Sequence, residues 1–444
     1  MASYTAGPSR GRDDQLHEEK LSDGLRPAQR GRDRILYSSA WRRLVEVTQV
    51  VPAGEGHAFH NRLTHSLEVA VVARRLAERL LKEQHGVAET LGGIDPDVTE
   101  AAALAHDLGH PPFGHVAEQQ LDWLVIATGV MDGFEGNPQS FRIVTKLAFS
   151  SPDHPGLNLT RATLNALLKY PSFRATGGKN KLKWGAYHTE DREFGWAREL
   201  LPVGDPRKSV EAELMDWADD ITYAVHDVED FYRAGRIPLD RVCSQKDDSE
   251  RKRFYDEVFQ RHERAEIPLK YKRAELECAF EKIVKYYPID SLYRDKREER
   301  SRLRFLNSGL VRIYMEGIRL NVPKEPKDPW VQIDPECEKE VFMLKQLTWH
   351  YVILDPALVT QQFGQQEIIR RLFEIFQEAA CIPKKRIIFP YAVRDELETA
   401  PQNGELRTRI VTDFISGMSE MQAIHMYRRL TGHALGSVLH PATR

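Results

Sequence analysis

Apolar residues recur along most of the chain at the three-to-four spacing of helices, and the two-residue alternation of strands is scarce. Over residues 64–83, Leu67, Val71, Leu76, Leu80 and Leu81 fall near one face while Arg74, Arg75, Glu78 and Arg79 lie largely elsewhere, which predicts one amphipathic helix. Gly92-Gly93 and Pro96 end that unit. A second helix is predicted from near Asp97 through Ala101-Ala102-Ala103-Leu104-Ala105 to Gly109, where Pro111-Pro112 stop it. Further helices are expected over residues 118–128, 160–168 and 209–233, the last carrying the pair Asp219-Asp220. Residues 244–304 are helical but charged, and the run Arg294-Asp295-Lys296-Arg297-Glu298-Glu299-Arg300 reads as a solvated face. Val331-Gln332-Ile333 is too short to count as a strand. The fold class is therefore all-α, with a helical core over residues 29–235 and an additional helical C-terminal lobe over residues 236–444 for substrate closure and oligomer contacts. Residues 1–28 carry few apolar anchors and predict a mobile N-terminal arm, ordered only by a neighbouring subunit.

Composition narrows the function more than the fold. The 444 residues are 41% hydrophobic and 29% charged, an ordinary balance for a cytoplasmic globular protein. A net charge of -3 sets up no global field toward nucleic acid or membrane, so an anionic substrate must be met by local cations. No run approaches the ~20 apolar residues of a bilayer span, and the polar first residues lack the apolar stretch of a secretory signal. Cys243, Cys278, Cys337 and Cys381 lie far apart with no C-x-x-C pair, which argues against a disulfide framework or zinc ribbon and fits a reducing compartment.

The chemistry concentrates in Ala105-His106-Asp107-Leu108-Gly109-His110-Pro111-Pro112-Phe113-Gly114-His115, three histidines and an aspartate at the end of a small-residue helix. A lone His-Asp pair means little, and a second one stands at His226-Asp227. What distinguishes the first is its setting, between His65 in Asn61-Arg62-Leu63-Thr64-His65 and Asp219 in Ala218-Asp219-Asp220-Ile221-Thr222-Tyr223. Taken singly, each is an ordinary helix-end or core residue. As an ordered set, imidazoles and carboxylates on three helices can converge on one divalent cation and leave positions open for water and phosphate.

The order R-x-x-H, H-D-x-G-H-P-P-F-G-H and A-D-D-I-x-Y resembles the HD superfamily, specifically the dGTPase-like deoxynucleoside triphosphate triphosphohydrolases. Arg42-Arg43-Leu44, Thr48-Gln49-Val50, Leu167-Leu168-Lys169-Tyr170-Pro171 and Lys183-Trp184-Gly185-Ala186-Tyr187 are similar to family segments in the same order, so the resemblance runs from about residue 28 to 235 and weakens beyond. It implies hydrolysis of a dNTP substrate at the α-phosphorus to deoxynucleoside and triphosphate, with dGTP the first expectation. The metal ligands it implies are His65, His106, Asp107 and Asp219, with Asp220 the alternative if the register slips by one. Manganese or magnesium is the expected cofactor, with iron, cobalt or nickel also compatible with such donors.

His115 and Glu118 match the family's catalytic pair, and their i, i+3 spacing puts them on one helical face. Arg62, Lys169 and Tyr170 match positions that serve the triphosphate, and His110 is expected to support the metal shell or bind phosphate. Tyr223 and Asp227, at i+4 and i+8 from Asp219, are expected to face the cavity and meet the deoxyribose, with Gln49 reading the sugar edge. His188-Thr189 stand where the family leads one to expect Gln-Ser. The resemblance further implies a homo-oligomer such as a hexamer, and regulation by a nucleotide or single-stranded DNA. Two other readings use the same residues: another HD-type phosphohydrolase or phosphodiesterase, which shares the metal set but not Gln49, Lys169-Tyr170, Tyr223 and Asp227, and a non-catalytic nucleotide or single-stranded DNA sensor using the basic, aromatic stretch of residues 30–43.

Overall fold

The computed structural model describes residues 11–19, 24–51, 59–174, 183–287, 289, 291–400 and 404–434. Helices dominate throughout, as the periodicity predicts. The centre is a triad of packed helices, Arg62–Glu83, Pro96–Ala105 and Val210–Arg233. Each starts on a built cap. The Asn61 side chain accepts from the Thr64 N–H at 3.0 Å while the Thr64 hydroxyl accepts from the Asn61 N–H at 3.1 Å. Asp95 caps the second helix with Pro96 at its first position, and Ser209 caps the third. These caps fix where His65 and Asp219 fall along their helices.

The inward face of Arg62–Glu83 differs from the large-residue stripe in the sequence. Val69, Ala70, Val72, Ala73, Leu76, Ala77 and Leu80 are buried, whereas Leu67 and Val71 are 46% and 54% exposed. Alanines on the contact face let the two neighbouring helices approach closely, and that approach rotates the bulkier pair outward. The aliphatic residues that remain inside, such as Leu76 and Leu80, each contribute ~1.5–3 kcal/mol by burial.

The described residues after 236 contribute to two apolar clusters. The helices Ser249–Arg264, Arg273–Tyr286, Arg297–Glu316 and Pro335–Thr348 extend the main core, joined through Trp217, Phe254, Phe280, Tyr314 and Leu344. A second apolar cluster unites Ile369, Leu372, Phe376, Phe389, Ile410 and Ile415 with Phe113 and with Ala117, Leu121 and Val125 of the helix His115–Ala127. The far C-terminal segment is thus the bed on which the His115 helix lies. Val331–Ile333, discounted by its length, does pair, antiparallel with Ile318–Leu320, because a hairpin-like return brings the two short runs into register.

The stretch expected to be an unanchored arm is docked where it is described. The backbone N–H groups of Arg161 and Ala162 donate to the carbonyls of Asp14 and Arg12 at 2.8 and 3.0 Å, and the Arg12 guanidinium pairs with Glu211. Polar pairing, with Leu16 packed against the main core, holds the arm in place. Residues 1–10 and 20–23 of that stretch lie outside the described residues. Among the described residues, no helix is long and apolar enough to cross a membrane.

Candidate active site

The turn Leu108–Gly114 between the helices Pro96–Ala105 and His115–Ala127 gathers the histidines, and two glycines make it feasible. A Cβ on Gly109 would stand 2.2 Å from the Gly136 carbonyl oxygen, so only glycine fits. Gly114 has φ +59, in the left-handed region, and hands the chain directly into the His115 helix. Phe113 before it also has a positive φ, 67, and is held there by burial in the second apolar cluster.

Three donors converge from the three central helices. The Nε2 of His65 lies 3.0 Å from Asp219 Oδ1, and the Nε2 of His106 lies 3.8 Å from the same oxygen. The donor atoms of His65, His106 and Asp219 all sit within 4.8 Å of one another. His106 Nδ1 is 2.6 Å from the Ala103 carbonyl, which makes that nitrogen the donor and leaves the Nε2 lone pair facing the cavity. Asp107 stands beside this group, its Oδ1 3.4 Å from His106 Nε2 and its Oδ2 bound by Arg62 Nη1 at 2.6 Å. Asp220 points elsewhere, to Lys345 Nζ at 2.6 Å, so the helical register selects Asp219. This donor set, two imidazoles whose Nε2 atoms converge on Asp219 Oδ1 beside a second carboxylate, fits a divalent cation.

Burial alone would push the Asp107 carboxyl up, but Arg62, with His106 and His110, holds it well below the usual carboxylate range. Burial likewise opposes ionisation of Asp219, and Lys169, with His65 and His106, outweighs it. Lys169 Nζ is 2.8 Å from both Asp219 and Asp216, and these two carboxylates keep the buried ammonium charged. His110 is pushed down to about 4 by burial and by Arg62, so it is neutral at ordinary pH. Its Nδ1 is 3.1 Å from Asp107 Oδ1 but off the hydrogen-bonding direction, and its ring meets that of His115 edge-on at 5.1 Å. His110 therefore belongs with His115 and Glu118, not with the first three donors.

On the opposite wall, His115 Nδ1 lies 2.6 Å from Glu118 Oε2. The other Glu118 oxygen accepts from Lys183 Nζ at 3.0 Å and from the Gly136 N–H at 3.2 Å. Lys183 also pairs with Glu135. Burial opposes ionisation of Glu118, yet His115 and Lys183 hold it well below its ordinary range. Burial and the Glu118 charge push Glu135 up to about 8, so of the two neighbouring carboxyls it is Glu135 that keeps the proton.

Between these walls lies a cavity of about 320 Å³, within the ~300–1,000 Å³ usual for small-molecule sites. Its lining includes Gln49, Arg62, His65, His106, Asp107, His110, His115, Lys169, Tyr170, Asp219 and Tyr223, together with Thr48, Lys183, Gln362 and Gln365. Asp227, expected to face this cavity, is not in its lining. It is buried a turn beyond Tyr223 with Oδ2 unpartnered, and its carboxyl is pushed well up by burial and by Asp230. Glu118 is also behind the wall, acting through His115. A second cavity of about 820 Å³ shares Lys169, Tyr170 and Lys183 and adds Arg207, Lys208, Lys270 and Lys327. His188, the departure at residues 188–189, is tied to Asp132 at 2.5 Å outside the cavity lining.

Sequence reasoning missed the roles of Glu135, Lys183, Asp216 and the glutamines at 362 and 365. Asp216 was accessible, one helical turn before Asp219. Lys183 heads a family-like segment that does not reveal its partners, and no local pattern marks the others, which arrive from distant segments. Arg43 belongs to a family-like segment, but its partners were not legible: its guanidinium donates to the carbonyls of Leu108 and His110 at 2.7 and 2.8 Å and to those of Ser416 and Met418 at 3.0 Å. Thr48 bonds Glu420 across the same seam.

The HD domain family matches residues 62–224, the stretch that holds His65, His106, Asp107 and Asp219, and the phosphohydrolase-associated domain matches residues 331–429. A deoxyguanosinetriphosphate triphosphohydrolase-like protein of Streptomyces coelicolor is 34% identical over 430 residues, covering 91% of this chain and 92% of its own. Proteins of the same name from Corynebacterium efficiens and Wolinella succinogenes are 34% and 32% identical, covering 91% and 92% of this chain and 91% and 96% of their own. Converging His and Asp donors in a helical cavity, and likeness over nine-tenths of the chain, lead to one statement: the chain belongs to the HD-domain family of deoxyguanosinetriphosphate triphosphohydrolase-like proteins, which are metal-dependent nucleotide phosphohydrolases.

Proposed function

We propose that this protein hydrolyses deoxynucleoside triphosphates, dGTP first among them, to the deoxynucleoside and inorganic triphosphate. The observation that carries this is a single cavity with the cation donors on one wall, His115 on the other and Gln49, Lys169, Tyr170 and Tyr223 also in its lining. The name borne by the relatives agrees with it.

His65, His106, Asp107 and Asp219 are the residues proposed to hold the cation, Mn²⁺ or Mg²⁺, with iron, cobalt or nickel as fits to the same donors. When bound, that cation supplies Lewis-acid neutralisation of phosphoryl charge. Lys169 and Lys183, both in the lining, offer the further positive charge that a triphosphate demands. Arg62 fixes the Asp107 carboxylate through its bond at 2.6 Å and orients the loop through the Thr48 carbonyl at 3.0 Å. Glu118 holds His115 by Nδ1, so its Nε2 is the atom that delivers a proton to the departing 5′ oxygen. Water's oxygen joins the α-phosphorus, the P–O5′ bond breaks, and the 5′ oxygen takes the proton.

The sugar is read by the Tyr223 ring, which occupies the space of a 2′-hydroxyl, and by Gln49, whose buried Oε1 has no partner and can accept from a sugar hydroxyl. The phenol of Tyr223 is raised by burial and by Asp227, so it remains neutral. Asp227 is proposed to meet the 3′-hydroxyl through its unpartnered Oδ2, which requires a modest opening of the Tyr223 wall.

The test is incubation of metal-replete protein with each of the four dNTPs and with GTP, products resolved by chromatography, beside a protein carrying His106→Ala and Asp107→Ala. Deoxynucleoside and uncleaved triphosphate, absent from the control, are expected. Monophosphate with pyrophosphate would move the scissile bond, and absence of turnover in the presence of nucleotide activators would defeat the reading.

A further inference from the structure

We propose that His60, Glu68 and His226 form a second divalent-cation site, of zinc type, that ties together the two helices carrying His65 and Asp219. Nothing in the proposed hydrolysis uses these residues, and the HD match begins after His60 and ends before His226.

The cluster repeats the arrangement of the first donor set farther along the same helix pair. Glu68 follows His65 by three residues and His226 follows Asp219 by seven, spacings that keep a residue near the same helical stripe. The donor atoms of His60, Glu68 and His226 all lie within 4.8 Å of one another, the same closeness seen for His65, His106 and Asp219. His60 Nε2 is 3.1 Å from Glu68 Oε1, and His226 Nδ1 bonds the other oxygen of that carboxylate. A tetrahedral zinc ion places its donors ~3.3 Å apart, so only small side-chain adjustments admit it.

The orientation of His60 is imposed from outside the cluster. Asp230, itself buried, accepts from His60 Nδ1 at 2.6 Å and from the His60 backbone N–H at 2.7 Å. That contact fixes the proton on Nδ1 and turns Nε2 toward Glu68, the carboxylate–histidine support that zinc-binding imidazoles commonly have. The rings of His60 and His226 stack at 5.7 Å, which aims both toward Glu68. Two imidazoles and one carboxylate, partly open to solvent, make a three-ligand set with a fourth position for water. Zinc is favoured over magnesium because two of three donors are nitrogen. A cation here would bridge the start of Arg62–Glu83 to the far half of Val210–Arg233 and fix the spacing on which the first donor set depends.

The full chain is stripped with chelator, loaded with excess Zn²⁺, freed of unbound ion by gel filtration and assayed for zinc by elemental analysis. Wild type is expected to retain about two equivalents, and Glu68→Gln, His226→Ala, or His106→Ala with Asp107→Ala about one each. Glu68→Gln combined with the His106/Asp107 changes is expected to retain close to none. One equivalent in wild type, abolished by His106→Ala with Asp107→Ala, overturns the proposal, as does a Glu68→Gln protein that keeps two. Glu68→Gln is isosteric and partly exposed, so it preserves the fold if His226→Ala does not, and circular dichroism checks both. Because the readout is metal content, an active enzyme whose single equivalent is lost with His106→Ala and Asp107→Ala sinks only this site, and an inactive one holding two sinks only the proposed substrate.

Discussion

The two walls of the cavity rest on different foundations. The wall with His65, His106 and Asp219 stands on the main core, its donors projecting from three helices packed on one another. The wall with His115 stands on the helix His115–Ala127, bedded on the second cluster of residues 369–426. The first wall is buried, and its charges are compensated by neighbours close in the fold, Arg62 and Lys169. The second exposes His115, 62% open at its side chain, and relays its support outward through Glu118, Lys183 and Glu135. One wall is a preformed rigid basket. The other is a reactive group on a separately supported arm, and a change to either foundation should be felt on its own side first.

The largest expected effect tests the first wall. Replacing His106 and Asp107 by alanine should lower turnover by more than ~10³-fold and reduce bound metal, read by elemental analysis. His115→Ala should cost ~10²–10⁴-fold in kcat with metal content unchanged. If metal leaves with His115, the walls are not separate. Phe376→Ala, at a fully buried ring packed against Phe389 and Phe414, should destabilise the protein by about 3–5 kcal/mol in denaturant titrations. Hydrogen exchange should loosen the His115 helix while the helix of His65 stays protected. Uniform loss of protection would merge the two cores into one cooperative unit.

The smallest effect sharpens the second wall. Glu135 is pushed up to about 8 from its ordinary 4.5 by burial and by Glu118. Between those values the folded chain keeps a proton that the unfolded chain has released, so this group makes stability fall as pH rises through that window. Glu135→Gln cannot ionise and should flatten the fall of stability between about pH 5 and about pH 9. An unchanged slope of Tm against pH would remove Glu135 from the relay.

The sequence was most legible where chemistry and helical periodicity coincide. His65, His106, Asp107 and Asp219 lie on or at the end of capped amphipathic helices, and a register error would have moved Asp219 off the stripe and put Asp220 on it. The helix of residues 210–233 was readable almost to the residue because Ser209 caps it. Less legible was anything decided by packing between segments remote in sequence. Leu67 and Val71 are apolar yet turn outward because alanines, not leucines, set the helix contacts. The region after residue 236 reads as a continuous helical lobe, but its division between two cores depends on which apolar face meets Phe113 and Leu121. Glu135 carries no motif, and the family-like segment that Lys183 heads names no partner for it; their importance comes from a buried carboxylate that needs a cation and a neighbour to take the proton. Asp227 shows the limit of stripe arithmetic, since eight residues of helix brought it to the right side but behind Tyr223.

The Arg43 guanidinium has a consequence in time as well as space. It grips the loop carbonyls of Leu108 and His110 with one nitrogen and those of Ser416 and Met418 with another. During synthesis the loop is made long before its far partners, so every residue proposed for the chemistry exists while half of this clasp is still unwritten. A chain halted short of residue 416 would carry the His106–Asp107 segment ungripped, and protease cleavage near Leu108 in such a fragment, absent from the full chain, would report it.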